Sequence, residues 1–197
     1  MNFPTKAITI IGLAGLFLSF NARSESAARA IDHRKSKVGF IAHTTMFDVE
    51  GIFEKWEADI KLDPNDLTQS SFVLQVQTAS VNTEIDKRDE HLRTDDFFAS
   101  QKYPTARFQS TAVKVTSPGT LEIAGKLTIR NKTKPLKILA KYKWKEKENG
   151  RTLRIRGQVA VIRQNFDINY VSGMLLPAVN KEVDIVFDVT VKPLTSN

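Results

Sequence analysis

The sequence contains no cysteine in its 197 residues. Disulfide bonds, thiolate nucleophiles and thiolate metal ligands are therefore excluded, and so is lipid attachment to an amino-terminal cysteine. Histidine is scarce too, because His33, His43 and His91 are the only imidazoles, and no ligand spacing joins them. The stability of the fold must then come from its apolar core.

Long apolar runs are nearly absent as well. The one example, residues 7–20, is broken only by Thr9 and Ser19 and follows a single basic residue, Lys6. It is shorter than the roughly 20 residues that a membrane-spanning helix needs, and it is typical of a secretory signal. We expect a signal peptide in residues 1–30, cleaved between residues 24 and 30, and one mature domain in residues 31–197. The alternative is an uncleaved anchor.

Alternation of apolar and polar residues dominates the chain from Val38 onwards and predicts antiparallel strands with one buried face. Such runs occur at residues 38–44, 51–62, 71–81, 106–115, 121–130, 136–145, 153–161 and 183–191. Short turn-forming segments separate them, and eight strands in meander order close naturally into a barrel. The sequence thus predicts an all-β fold, a single eight-stranded antiparallel barrel with a short helical excursion near residues 85–100.

Three successive predicted strands carry a small residue in the middle of the inward row. These residues are Gly125, Ala140 and Gly157. In one interpretation they leave room at mid-barrel for a ligand, which would be apolar because the inward rows carry almost no charge. In the other they mark bulges or bends of the strands.

The outward rows of the same strands are basic, within a chain whose formal net charge is +7. The residues concerned are Lys126, Arg130, Lys137, Lys141, Lys143, Lys145, Arg154 and Arg156. Such a panel attracts anionic head groups, by on the order of 1 kcal/mol per residue near a membrane surface. The alternative is a solvated face that discourages strand-to-strand aggregation. Nucleic acid is not expected as a partner of an exported protein.

A dense polar segment, residues 86–98, interrupts the strand pattern. Charge pairs four residues apart, such as Asp89 with Arg93, predict short helical turns, and Phe97 and Phe98 supply an apolar end that can cover a barrel mouth. The segment is interpreted foremost as a salt-bridged structural cap.

Two chemical interpretations of the same segment remain as alternatives. One couples His91 with Asp89 or Asp95 as an acid–base pair, although no serine or threonine nucleophile stands nearby. The other is a metal site made of His91, Asp95 and Asp96, for which the other histidines offer no matching spacing. Neither catalysis nor a metal is therefore predicted.

A set of short motifs occurs in a specific order along residues 31–191. They are Ile31-Asp32 with Ser36 and Phe40; His43 with Gly51 and Phe53; Val81-Asn82-Thr83; Arg88-Asp89 with His91-Leu92-Arg93; Asp96-Phe97-Phe98; Tyr103-Pro104 with Ala106, Phe108 and Ser110; Gly125 with Leu127-Thr128-Ile129; and Thr133-Lys134-Pro135. In this order they resemble the YceI-like family of bacterial periplasmic proteins, lipocalin-like barrels that bind polyisoprenoid or other long apolar lipids. The sequence departs from that pattern at Met174-Leu175-Leu176-Pro177, an apolar loop expected to shape one barrel mouth.

The resemblance implies a soluble periplasmic carrier that holds a long-chain isoprenoid or similar lipid inside the barrel, with no cofactor, no metal and no catalytic residues. An anionic membrane surface and a second copy of the chain, in a homodimer, are the other expected partners. The alternatives are an enzyme that acts on a lipid or amide through His91 and nearby carboxylates, and a stress-linked adaptor at the membrane surface. The expected ligand lining consists of Phe40, Ala42, Trp56, Ile60, Leu74, Val76, Phe97, Phe98, Phe108, Leu127, Ile138, Ala140, Tyr142, Gly157, Val159, Ile185 and Phe187.

Overall fold

The computed structural model describes residues 27–148, 150–171 and 178–192, and in these residues the strands form a single antiparallel sheet. The strands are β1 (Ala27–Arg29), β2 (Lys37–Thr44), β3 (Asp48–Phe53), β4 (Trp56–Leu62), β5 (Ser71–Gln77), β6 (Val81–Asn82), β7 (Thr105–Ser117), β8 (Thr120–Ile129), β9 (Lys132–Lys147), β10 (Gly150–Ile162) and β11 (Val179–Val191). One helix, α1 (Asp86–Arg93), follows β6. The predicted loop at residues 174–177 and all but the end of the predicted signal peptide lie outside the described residues.

Strand order in the sheet is β1-β4-β5-β7-β8-β9-β10-β11-β2-β3-β6. The sheet curls into a half-barrel, so the predicted all-β, lipocalin-like fold with one helical excursion is confirmed. The described residues hold eleven strands where eight runs were predicted, because two runs are each divided and β1 is added. None of the helices in the described ranges is long and apolar enough to cross a membrane.

Two sharp corners divide the predicted runs. Residues 54–55 separate β3 from β4, and a short 3-10 helix, Thr78–Ser80, separates β5 from β6. Two backbone hydrogen bonds join these corners, from Glu54 N to the carbonyl of Ser80 (3.0 Å) and from Gln77 N to the carbonyl of Lys55 (2.9 Å). Because β3 and β4 lie near opposite edges of the sheet, the chain passes here from one edge of the curled sheet to the other. The inward row also changes phase here, from odd to even positions.

Large aromatic rings occupy the space above two of the three small inward residues. A Cβ built on Gly125 would lie 2.5 Å from Cζ of Phe108, and one built on Gly157 would lie 2.4 Å from Cζ of Phe187. Ala140 is fully buried in the core. In this structure the small residues therefore make room for neighbouring phenylalanine rings.

The register places two of these small residues at the same level and the third at another. Ala140 pairs directly with Gly157, as equal strand lengths predict, but Gly125 pairs with Leu136. On its other side Gly125 faces Ser110, where the pairing of β7 with β8 shifts by one residue. Gly125 thus lies beside a bulge, which agrees with the second interpretation at this one position.

We expect Gly125→Ala to lower the free energy of unfolding by about 1–3 kcal/mol, because overpacking forces the surrounding structure to shift. The added methyl group would lie 2.5 Å from the carbonyl oxygen of Gln109, a backbone atom, as well as against the Phe108 ring. Urea denaturation measures the change. The double variant Gly125→Ala/Phe108→Leu should show a loss smaller than the sum of the two single losses; simple additivity would contradict the predicted contact.

Candidate functional site

Two apolar cavities lie on the inner face of the half-barrel. Cavity 1 has a volume of about 140 Å³ and cavity 2 about 70 Å³. The residues lining cavity 1 are Val38, Gly39, Phe40, Ala42, Phe53, Leu74, Val76, Leu92, Phe97, Phe98, Ala106, Arg107, Phe108, Leu127, Ile129, Val161, Arg163, Phe166, Ile168, Val179, Val183 and Ile185. Those lining cavity 2 are Ala58, Ile60, Phe72, Val73, Leu74, Phe108, Ile123, Leu127, Leu136, Ile138, Ile155, Ile185, Phe187 and Val189. Since Leu74, Phe108, Leu127 and Ile185 belong to both walls, the two cavities are neighbours in one apolar interior.

Most of the predicted lining residues border one of these cavities. Nine lie at cavity 1: Phe40, Ala42, Leu74, Val76, Phe97, Phe98, Phe108, Leu127 and Ile185. Cavity 2 adds Ile60, Ile138 and Phe187. Among the described residues, the walls of both cavities leave out Trp56, Ala140, Tyr142, Gly157 and Val159.

The predicted residues that border neither cavity have packing positions instead. Trp56 packs against the core, and its ring centroid lies 4.6 Å from that of His33. Ala140 belongs to the core cluster, and Tyr142 and Val159 pack against that cluster. Gly157 lies under the Phe187 ring. Whether any of the predicted residues binds a ligand stays a prediction.

Sequence patterns missed several wall residues of cavity 1 for two reasons. Phe53 lies in the predicted run at residues 51–62, within which the inward-facing positions change from odd to even numbers. Alternation along that run therefore does not predict which face Phe53 occupies. Arg163, Phe166 and Ile168 come from the irregular segment between β10 and β11, where no period predicts which side chains are buried. Phe166 and Ile168 are nevertheless buried, at 2% and 6% exposure, and the apolar residues of this otherwise polar segment were an available signal.

A cap closes cavity 1 on one side and consists of α1 and residues 94–103. Leu92, Phe97 and Phe98 line the cavity from the cap. The ring of Phe98 meets Phe53 edge to face at a centroid distance of 5.5 Å and Phe40 at 6.2 Å, a geometry that favours aromatic packing. The predicted role of Phe97 and Phe98 as an apolar cover matches this position.

The charged residues of the cap bind the strand connection beneath it. Asp89 is 5% exposed, and one of its carboxylate oxygens accepts hydrogen bonds from the backbone N and hydroxyl of Thr83. Arg88 donates to the hydroxyl and the carbonyl of Thr83, both at 2.7 Å. Arg93 donates to the carbonyls of Ala79 and Val81. These charged side chains therefore bind residues 79–83, which precede the helix, in place of the predicted charge pairs within the helix.

The partner of His91 differs from both predicted acid–base partners. Nε2 of His91 lies 2.8 Å from Oδ2 of Asp96, whereas Asp89 is engaged with Thr83 and Asp95 pairs with Lys102 at 2.5 Å. The His91 ring also meets Tyr170 edge to face at 4.8 Å. In the described ranges, no group of three or more His, Cys, Asp or Glu side chains is arranged to hold a metal ion.

Among the described residues that line cavity 1, Arg163 is the one charged residue that is buried. It is 5% exposed, and its guanidinium donates to the carbonyls of Ile168 (2.8 Å), Asn180 (2.9 Å) and Val179 (3.1 Å). Burial lowers the pKa of the guanidinium from its ordinary value. The side chain thus joins the end of β10 to the start of β11 at the rim of the cavity.

Residues 30–191 match the YceI-like domain. The chain belongs to the YceI-like family. A UPF0312 protein of Vibrio cholerae is 33% identical over 140 residues, which cover 70% of this chain and 74% of that protein. The crystal structure of BcnA from Burkholderia cenocepacia matches with a TM-score of 0.74 at 26% identity, covering 83% of this chain and 100% of that chain.

A more distant structure shares the YceI-like fold. It is a polyisoprenoid-binding domain from Saccharophagus degradans, implicated in plant cell wall breakdown, with a TM-score of 0.60 that covers 86% of this chain and 99% of that chain. The sequence identity is 12%, so this likeness shows the fold alone.

His43 joins three strands of this YceI-like sheet near cavity 1. Its Nδ1 lies 2.8 Å from Asp48 at the start of β3, and its Nε2 lies 3.0 Å from Asp184 on β11. The hydrogen bond to Asp184, followed by the one to Asp48, raises the pKa of His43 above its ordinary value. The same bond from His43 lowers the pKa of Asp184.

The His43 bridge should make stability depend on pH. A raised pKa in the folded state means that His43 stabilises the fold fully below about pH 6.5 and loses this effect as the pH rises through the raised value. The lowered pKa of Asp184 gives a contribution that is present above about pH 4 and lost as the pH falls. We therefore expect His43→Gln to lower Tm most between about pH 4.5 and 6.5 and little at about pH 8.5. Thermal melts across this range test it; a difference in Tm that grows towards pH 8.5 would contradict it.

A basic groove of about 840 Å³ lies on the outer face of the YceI-like sheet. Its basic residues are Lys35, Lys141, Lys143, Lys145, Lys147, Arg154, Arg156 and Lys192. Asp32 also lines it and pairs with Lys35 at 3.3 Å, and Arg154 binds Asp188 through two hydrogen bonds. Five residues of the predicted basic panel thus lie together, while Lys126, Arg130 and Lys137 are not among the residues lining the groove. The predicted contacts with an anionic membrane and with a second copy of the chain stay predictions.

Proposed function

We propose that this YceI-like protein is a periplasmic carrier that sequesters a long apolar lipid, of the polyisoprenoid type, inside the half-barrel. The observation that carries the proposal is the pair of neighbouring apolar cavities beneath an aromatic cap. Apolar walls bind a hydrocarbon chain without specific polar contacts, at ~0.8 kcal/mol for each CH₂ removed from water. A polyisoprenoid-binding domain shares this fold, and the proposal extends that ligand class to this chain.

The periplasmic location rests on the sequence. The apolar run at residues 7–20 is typical of an export signal, and a chain without cysteine is indifferent to the oxidising conditions beyond the inner membrane. The proposal does not require catalysis. The charged cap residues Arg88, Asp89 and Arg93 use their hydrogen bonds to hold the cap in place.

Lipid binding requires the cavities to widen. Their volumes of about 140 and 70 Å³ fall below the roughly 300–1,000 Å³ of pockets that enclose a drug-sized ligand. The rings of Phe108 and Phe187 lie in this interior. They pack over Gly125 and Gly157, which have no side chains. We propose that rotation of these rings admits the hydrocarbon chain.

Native mass spectrometry of the protein purified from the periplasm of an exporting bacterium tests this function, combined with solvent extraction of bound lipid. The expected result is a bound mass that extraction identifies as a long apolar chain. Purification of the same protein after refolding from urea provides the unloaded reference mass. Periplasmic protein that carries no lipid, and that takes up none from a total lipid extract, would overturn the proposal.

A further inference from the structure

The hairpin tip between β2 and β3, residues 44–48, presents two large apolar side chains to solvent. Met46 is 78% exposed and Phe47 is 52% exposed. A third exposed apolar residue, Val171 at 73%, follows Tyr170, whose ring packs on His91 and Phe97 of the cap. Exposed apolar residues that stand singly are common on protein surfaces, but adjacent ones on a projecting tip invite a partner.

Hydrogen bonds hold the backbone of the tip in this turn. The hydroxyl oxygen of Thr44 accepts hydrogen bonds from the backbone N of Met46 (3.3 Å) and Phe47 (3.1 Å), and Thr44 N donates to the carbonyl of Phe47. Thr45 N donates to the carbonyl of Ala178, just before β11. These bonds fix the turn, so the apolar side chains do not fold back onto the sheet.

The tip stands at the rim of cavity 1. Ala42 on β2 and Val179 and Val183 on β11 line that cavity, and Thr44 pairs with Val179. Met46 follows Ala42 by four residues, so at the rise of an extended strand it projects at most about 13 Å beyond the rim. The apolar face of an interfacial helix is buried to a depth of about 5–10 Å in a bilayer, and the projection of the tip allows the same depth.

We propose that the tip inserts Met46 and Phe47 into a lipid bilayer and thereby sets the rim of cavity 1 against the membrane, where an apolar ligand can pass without crossing water. This inference rests on the proposed lipid-carrier function. It concerns how cavity 1 is brought to the membrane that supplies the ligand. Its test does not depend on the ligand being identified.

Two observations favour a bilayer over other partners. A stable protein interface buries roughly 1,200 Å² or more, which two side chains on a narrow tip cannot supply, whereas weak, reversible binding to a membrane surface scales with the apolar area inserted and has no such minimum. The nearest carboxylate, Asp48, is hydrogen-bonded to His43. Residues 44–48 carry no basic side chain that would favour an anionic surface over a neutral one.

The basic groove lies at the other end of the same strands. Lys35 precedes β2 and Lys192 follows β11, whereas the tip follows β2 and lies beside the start of β11, where Thr44 pairs with Val179. Docking through the groove would turn the rim of cavity 1 away from the membrane. Insertion of the tip and docking through the groove are therefore alternatives that an experiment can separate.

The absence of cysteine makes a site-specific label simple, because one introduced thiol is the only one. Met46→Cys carrying an environment-sensitive fluorophore should shift its emission to the blue and gain several-fold intensity with neutral phosphatidylcholine vesicles. The control is Thr116→Cys with the same label, exposed on β7 next to the turn whose Gly119 lines the groove; its emission should stay unchanged. A response at Thr116 but not at position 46, or at neither, overturns the proposal. So does a response at position 46 that grows with protein concentration without vesicles, which would indicate self-association.

A second measurement compares two double variants by sedimentation with the same vesicles. Met46→Ser/Phe47→Ser should weaken vesicle binding at least about tenfold, whereas Lys141→Glu/Lys143→Glu should leave it unchanged. The reverse result would assign membrane contact to the groove and overturn the proposal. Native mass spectrometry distinguishes failure of this proposal from failure of the carrier function. If the tip variant still binds vesicles as the wild type does and still retains lipid, only the role of the tip is refuted. If the wild-type protein carries no lipid, the carrier function is refuted.

Discussion

Replacement of Arg163 by methionine is expected to lower the free energy of unfolding by about 2–4 kcal/mol, because a buried carbonyl left without a donor costs about 1–3 kcal/mol. Arg163 supplies donors to three backbone carbonyls, that of Ile168 in the segment after β10 and those of Val179 and Asn180 at the start of β11. The bond to Ile168 is buried, and those to Val179 and Asn180 are partly buried. Methionine keeps most of the apolar volume of the side chain but offers no donor. The loss is therefore one of hydrogen bonds, with little contribution from an empty cavity.

Urea denaturation followed by circular dichroism measures this change. Arg163→Lys keeps the positive charge but cannot reach three carbonyls in the geometry of the guanidinium fork, so it should recover only a part of the loss. The matched surface control is Arg130→Met, which removes an arginine that donates to the carbonyl of Asp167 in an exposed position. Its cost should stay below about 1 kcal/mol. Equal losses at the two positions would refute the structural role of Arg163.

Replacement of Ala106 by leucine is expected to weaken lipid retention about fiftyfold. Ala106 is 9% exposed and lines cavity 1, and leucine would place three more carbon atoms into a space of about 140 Å³. Space for about three CH₂ groups of the ligand is then lost, at ~0.8 kcal/mol for each group. Because the added atoms enter an existing void, the change in stability should remain within about 1.5 kcal/mol.

The comparison variant is Ala160→Leu, which adds the same atoms at an exposed position of β10. Lipid occupancy is measured by native mass spectrometry on both variants after purification from the periplasm, and stability by thermal denaturation. Ala106→Leu that is folded and still fully loaded would show that the ligand does not occupy cavity 1. Equal loss of lipid in both variants would show that the effect comes from something other than the lining.

Alternation predicted the later strands well. The run predicted at residues 121–130 corresponds to β8 (Thr120–Ile129), and that at residues 153–161 lies within β10 (Gly150–Ile162). The earlier runs conceal the corners at residues 54–55 and at Thr78–Ser80, because a corner of two or three residues interrupts the alternation too briefly to be distinguished from a bulge. The strand β1 pairs with β4 through only three residues, which is too short a signal to predict.

The candidate site was predictable where it lies on strands and much less so elsewhere. Phe40 and Leu127 occupy inward positions of long alternating runs, and both border cavity 1. Arg163 was not foreseen, since a basic residue in an irregular segment gives no sign that backbone carbonyls will surround it. The charges of the cap predicted a helix, but only the folded chain shows that Asp89 binds Thr83.

The features that the sequence determined by itself arise from each strand alone, independently of its neighbours. The period of two sets which side chains share a face of a strand, because the pleat alternates whatever the neighbouring strand is; the all-β class, the basic outer rows and the apolar inner rows follow from it. The tertiary structure decided which strands pair and in what register. Only that register places Phe108 over Gly125 and Phe187 over Gly157, so the size of the cavities depends on contacts between residues far apart in the chain.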